Sequence, residues 1–214
     1  MTHQRLLLLF LLFSPLFLLA QPRFSAGAVA GLTASQIDGD QSAGYNKLGF
    51  QGGLRVVARL KERTDASMEF LFAQRGCQNE LIPDQYSPNP FGLTLNYIEV
   101  PLQWHFKDWL IEYDDDKLNY YKVSFNAGLS YARLIGSKVD DETDWLSGIA
   151  PEFLKKNDLS ALLGFNFFVN RHFGFSVRWT RSLLLMYDPR KHDPAPASKS
   201  WNSHSLYFQT VYMF

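Results

Sequence analysis

Net charge, cysteine pairs and metal-ligand spacing are all missing from this sequence. Its 214 residues hold 21 basic and 21 acidic side chains, a net charge of zero. That balance excludes a strongly basic nucleic-acid binder and an acidic disordered tail. A single cysteine, Cys77, excludes an internal disulfide framework and a cysteine-based zinc site. Beyond residue 20 the histidines are His105, His172, His192 and His204, with no His-x-His or His-Glu-x-x-His spacing. Neither a Gly-x-Ser-x-Gly elbow nor a phosphate-binding glycine loop occurs. No metal, cofactor or nucleic-acid partner is expected. The same part of the chain lacks an apolar run of helix-spanning length: uncharged stretches such as Phe24 to Ile37 and Gln85 to Ile98 are broken by polar residues. Any structure crossing a membrane would have to be built from strands.

What is present in excess is aromatic: 18 Phe, 10 Tyr and 5 Trp, 15% of the chain, beside a mean hydropathy of only -0.17. The first residues are a separate object. Arg5 opens a short positive region, Leu6 to Leu19 carry no charge, and Ala20 is a small residue at the expected cut. This is the three-part layout of a secretory signal peptide. Residues 1-20 are therefore expected to be removed on export, leaving 21-214 as one domain.

In the remainder the apolar residues recur with a period of two. The clearest case sets Ile98, Val100, Leu102, Trp104 and Phe106 against Glu99, Pro101, Gln103 and His105. The same alternation begins at Phe24, Leu48, Met68, Val123, Leu159, Phe173 and Leu206. Such alternation marks a strand with one apolar face. Eight strands in one exported chain predict a closed barrel, because closure removes exposed edges. The apolar faces are crowded with Phe, Trp and Tyr, too bulky for the inside of eight strands. The opposite faces carry Gly, Ser, Asn and Gln with isolated charges. Large apolar residues facing lipid and small or polar ones facing a narrow lumen is the transmembrane arrangement, not that of a soluble barrel.

Connection lengths agree. Ser35 to Asn46, Gly76 to Gly92, Leu134 to Asn157 and Leu185 to Asn202 are long; Lys61 to Asp65, Lys107 to Asp116 and Asn170 to His172 are shorter. Alternating long loops and short turns suit a bacterial outer-membrane barrel, with the long set outside and both termini in the periplasm. The chain ends on an amphipathic strand with Tyr212 and Phe214 on one face. That ending resembles the signal read by the barrel assembly machinery. Trp109, Tyr113, Tyr120, Tyr121, Trp145 and Trp201 flank the strands as candidate interface girdles. The expected fold is all-β, an eight-stranded antiparallel up-and-down transmembrane barrel in the outer membrane.

The segment Asn96-Tyr97-Ile98-Glu99-Val100-Pro101-Leu102 resembles the Tyr-Leu-Glu-Ile-Pro-Leu segment of PorT-family outer-membrane barrels. Gly27 and Gly31 in the first strand, Gln74-Arg75-Gly76 at the end of the third and Arg178 in the seventh fit the same layout. The resemblance implies an eight-stranded outer-membrane barrel whose founding member is linked to type IX protein secretion, with relatives in gliding motility.

The motif also has a physical reading. Pro101 cannot donate to a ladder, so a bulge or local twist is expected there. Glu99 faces the lumen, where an isolated carboxylate is costly and should be paired. By the same parity Arg55, Arg59, Arg75 and Arg178 point inward, and a lumen network of these with Glu69, Glu99 and Asp158 is expected, with a structural role. The acidic runs Asp114 to Asp116 and Asp140, Asp141, Glu142, Asp144 lack the spacing of a calcium loop and read as solvated charge. Cys77 is expected at the start of an outer loop, as a lone thiol.

The function expected is that of a structural or accessory interaction protein of PorT type, not an enzyme. Its expected partners are outer-membrane lipid, the barrel assembly machinery and secretion-system components. The alternative is a lipid-modifying enzyme. Outer-membrane deacylases place a His and a Ser two apart on one strand, but His204 has Asn202 and Leu206 at those positions. Asp188, His192, Asp193 and Ser198 could converge on it only through a Pro-rich loop. A channel is disfavoured because eight strands leave little room beyond side chains.

Overall fold

The structure is a computed structural model and describes residues 23–39, 44–79, 91–115, 118–141, 153–191 and 199–214. The expected signal peptide, Trp145, His192, Asp193 and Ser198 lie outside the described residues. Eight strands run β1 (Phe24–Asp38), β2 (Lys47–Lys61), β3 (Thr64–Gln78), β4 (Phe91–Ile111), β5 (Tyr120–Asp141), β6 (Asn157–Phe168), β7 (Phe173–Ser182) and β8 (Asn202–Met213). Each pairs antiparallel with its sequence neighbour, and β1 pairs with β8 to close the barrel. The start of β1, the end of β8 and the described turn residues 62–63, 112–115, 118–119 and 169–172 share one end. The strand ends that lead into the longer connections share the other.

The two faces follow the alternation. Leu32, Leu54, Phe70, Leu102, Trp104, Phe125, Leu163, Phe175 and Phe208 are exposed on the outside. Gln51, Arg55, Glu69, Glu99, Gln103, Asn126, Asn166 and Arg178 are buried inside. The strands are longer than the alternation alone suggests. β4 has 21 residues and β5 has 22. At about 3.3 Å per residue the former is roughly 70 Å of chain, and tilted about 45° it rises about 50 Å against an apolar band of about 25 Å. The barrel therefore projects beyond the membrane on the side of the long connections.

Two local expectations need correction. Pro101 causes no register shift: pairing with β3 runs to Met68–Leu102 and resumes at Leu71–Glu99 with the same offset. The bulge is on β5, where Asn96 faces Gly136 and Tyr97 faces Leu134, leaving Ile135 as the extra residue. A missing N–H can thin the ladder locally without adding a residue, which explains the difference. Cys77 is not in a loop but inside β3, buried. Its neighbour Gly76 takes φ +151°, a conformation suited to glycine, and donates its amide to Ser35 Oγ at 2.9 Å.

Candidate functional site

The lumen is filled in tiers. At the mouth nearest the termini Lys107 pairs with Asp65 at 2.9 Å, and the inward side chains just above are neutral and polar. Ser67 Oγ lies 2.7 Å from His105 Nε2, Asn126 donates to Gln103 at 2.6 Å, and Asn166 donates to Ser124 and Asn126, each at 3.0 Å.

The next tier carries the charges. Glu69 on β3 is held by two arginines: Arg55 Nε donates to Oε1 at 2.6 Å, and Arg178 Nη2 lies 2.9 and 2.8 Å from the two carboxylate oxygens. Arg178 reaches on to Gln209, which donates to Gln51 at 3.0 Å. A second group centres on Arg75. Its Nη2 is 2.5 Å from Glu99 Oε2 and its Nη1 is 3.0 Å from Asp158 Oδ2. Its Nε donates to the Tyr207 hydroxyl at 2.5 Å, which in turn donates to Glu99 Oε2 at 3.0 Å. Ser130 completes Glu99 at 2.6 Å, while Ser160 and Ser182 donate to Asp158. The Arg75 guanidinium also sits over the rings of Tyr97 and Tyr207, 5.2 and 5.7 Å from their centroids. Three buried arginines meet three buried carboxylates, so the tier is neutral as a whole. Each charge has a partner, which is the condition for burying it.

The structure brings together six of the seven residues expected in this network. Arg59 is the exception. Its parity points it inward, but it lies at the end of β2, where the strand leaves the barrel, and it is exposed. Asp65, opposite Arg59 in register, is paired with Lys107 instead, and water solvates the exposed guanidinium. Tyr207, which links Arg75 to Glu99, went unrecognised in the sequence. Its inward parity beside Ser205 and Gln209 is the signal that could have found it.

Above the charged tier the chemistry inverts. Ile37, Cys77, Leu93, Leu95, Tyr97, Ala132, Leu154, Met186, Tyr187 and Trp201 form a buried apolar core. At the same height the outer wall carries Gln36, Gln74, Thr94, Asn96 and Lys138, and Gln74 donates to Asn96 at 3.0 Å. Ile135 and Leu183 remain exposed there. Trp201, expected in an interface girdle, is instead 2% exposed inside this core and bridges to Tyr187. The interface aromatics at the other end include Trp109, with φ 58° and Lys122 Nζ 4.6 Å from its ring centroid, and Tyr113. Tyr212 and Phe214 lie outward with ring centroids 5.9 Å apart.

His204 faces the outer wall. It contacts Asp38 and Tyr45, and Asp188 is bonded to Arg190 instead. Asp114 and Asp115 are exposed; the other acidic side chains of the two runs lie outside the description.

A family model described as outer membrane protein beta-barrel domain matches residues 19–186. Among solved structures, Ail, the attachment invasion locus protein of Yersinia pestis, is 13% identical, with 89% of this chain and 98% of that chain covered and a TM-score of 0.43. Neisserial surface protein A is 13% identical, covering 89% and 97%, with a TM-score of 0.42. OprG of Pseudomonas aeruginosa is 10% identical, covering 89% and 94%, with a TM-score of 0.39. No curated protein matches the chain.

Proposed function

Since this chain belongs to the outer membrane protein beta-barrel domain family and lies in the bacterial outer membrane, we propose that it is a non-conducting, non-enzymatic accessory protein. It makes its contacts through the part of the barrel that stands above the lipid. The carrying observation is the stacked lumen: a neutral tier of paired charges beneath a buried apolar core. Such an interior holds side chains rather than a water path, and it makes the projecting end a rigid platform. The PorT-like segment around Glu99 supports a finer role in protein secretion. In that role the platform contacts a component of the secretion machinery.

Three measurements test this. Purified protein in planar bilayers should show no conductance steps; steady channels would remove the non-conducting reading. A strain lacking the protein should release less secreted protein. Photo-crosslinkers at Gln78, Thr94 or Lys138 should capture a secretion component. An unchanged secreted profile together with crosslinks to lipid alone would sink the secretion role.

A further inference from the structure

The outer wall of β1, β8 and β7 carries a polar niche that neither the lumen nor the accessory role uses. His204 on β8 stands outward, in register with Gln36 of β1 on one side and Arg181 of β7 on the other. Gly44 and Tyr45, just before β2, lie against this wall. Gly44 N donates to Gln36 Oε1 at 3.1 Å, which sets Tyr45 against His204 with ring centroids 5.0 Å apart. The Tyr45 hydroxyl is 2.9 Å from His204 Nδ1 and accepts from Trp179 Nε1 at 3.2 Å. His204 Nε2 is 3.1 Å from Asp38 Oδ1. One proton arrangement satisfies all of this: Nε2–H donates to Asp38, and Nδ1 accepts from Tyr45.

This core of the niche is saturated and largely covered. Its outer members are not. Arg181 Nη2 is 3.6 Å from Asp38 Oδ2, a loose pair, with side chains 54% and 44% exposed. Just below, Phe208 and Leu32 face lipid. The niche thus sits at the line where hydrocarbon ends, on the side of the long connections. Gln36, Trp179 and His204 hold Gly44 and Tyr45 without help from Arg181. That does not account for an exposed guanidinium and a second, loosely engaged carboxylate oxygen on a lipid-facing wall, where a charge is tolerated only near the interface.

We propose that this niche binds the phosphorylated saccharide headgroup of an outer-leaflet lipid. Arg181 offers paired N–H donors to a phosphate. Asp38 keeps acceptor capacity for sugar hydroxyls on the oxygen that Arg181 only loosely engages. Tyr45 and Trp179 give rigid aromatic edges beside which a sugar ring can lie. The acyl chains then continue down the wall over Phe208 and Leu32, so the site is specific for a lipid rather than a free sugar phosphate. His204 acts as a positioning residue, holding Asp38 and Tyr45.

The test is native mass spectrometry of the full protein in detergent micelles, titrated with bisphosphorylated lipid A, with its dephosphorylated form, and with soluble glucosamine 1-phosphate. Lipid A should be retained. Dephosphorylation or Arg181→Gln should each weaken retention at least tenfold, Asp38→Asn should weaken it less, and the soluble sugar phosphate should not compete. Heat-modifiable gel mobility confirms that the variants keep the barrel, since Arg181 and Asp38 are outside the lumen. Equal retention by Arg181→Gln, or equal binding of the dephosphorylated lipid, would overturn the phosphate site. Full competition by glucosamine 1-phosphate would overturn the lipid as ligand. Loss of an acyl chain from the bound lipid would overturn a binding role in favour of catalysis by the Asp38–His204 pair.

Discussion

The same inward parity of the same strands carries opposite chemistry at two heights. Around Glu69 and Glu99 the interior is charged; around Leu95 and Trp201 it is apolar. The outside changes with it, from Leu102 and Phe70 to Asn96 and Gln74. Next to hydrocarbon, an apolar interior gains nothing over an apolar exterior, because lipid tails are as apolar as leucine. Folding there relies on backbone ladders and on polar side chains that find each other. Above the lipid the wall meets water, the hydrophobic effect returns, and the strands pack as a soluble sheet does. One continuous barrel is therefore stabilised by two different forces, and single substitutions can separate them.

The largest effect is expected at Glu69. Glu69→Ala leaves Arg55 and Arg178 buried without their common anion. Removing one partner of a buried ion network costs about 3–5 kcal/mol. Urea unfolding of the protein in vesicles, followed by tryptophan fluorescence, should show a much lower midpoint, with the whole barrel melting as one unit. Adding Arg178→Gln to that variant should recover part of the loss, because one stranded charge is gone. An unshifted midpoint would mean that the lumen charges are not what holds the membrane section.

Leu95→Ala probes the other region. A buried Leu→Ala change costs about 2–5 kcal/mol, but here the loss should stay local. Limited proteolysis should cut the projecting end faster while the heat-modifiable gel shift persists. If Leu95→Ala instead lowers the urea midpoint of the entire barrel as Glu69→Ala does, the two regions form one cooperative unit and the contrast between them fails. Glu99→Gln should be milder than either. It removes one charge but keeps an acceptor, and Arg75 retains Asp158. About 1.5–3 kcal/mol is expected from the lost charge-assisted bonds, visible as an intermediate fall in the same midpoint.

The membrane section was legible from the sequence because a lipid-facing wall forces strict alternation: Ile98 to Phe106 reads directly as one outward face. The lumen residues follow from the complementary parity, which is why Glu69, Glu99 and Arg178 could be named without coordinates. Pairings could not be named, since Arg178 and Glu69 lie far apart in sequence and meet only through barrel closure. The apolar outer core was harder to see. Ile37, Leu93 and Leu95 continue the inward parity of Thr33 and Glu99, yet an apolar residue on a polar face looks like noise until the wall is known to leave the lipid. Trp201 misled for the same reason: near the end of a strand a tryptophan suits an interface girdle, and only tertiary packing against Tyr187 turns it inward.

Arg59 gives the smallest effect and the sharpest check on that logic. Parity gives it the same inward face as Arg55, four residues away on β2. Position gives it water, because β2 ends two residues later, at Lys61. Burial, not parity, makes a charge depend on a partner: Arg55 is 2% exposed and paired at 2.6 Å, whereas Arg59 is exposed. Arg59→Ala should therefore change the unfolding free energy by no more than about 0.5 kcal/mol, as for an ordinary surface substitution. Arg55→Ala in the same assay should fall near the Glu69 result. A large loss at Arg59 would show that it shares Asp65, its partner in register, with Lys107, and the boundary between paired lumen and open water would have to be drawn lower.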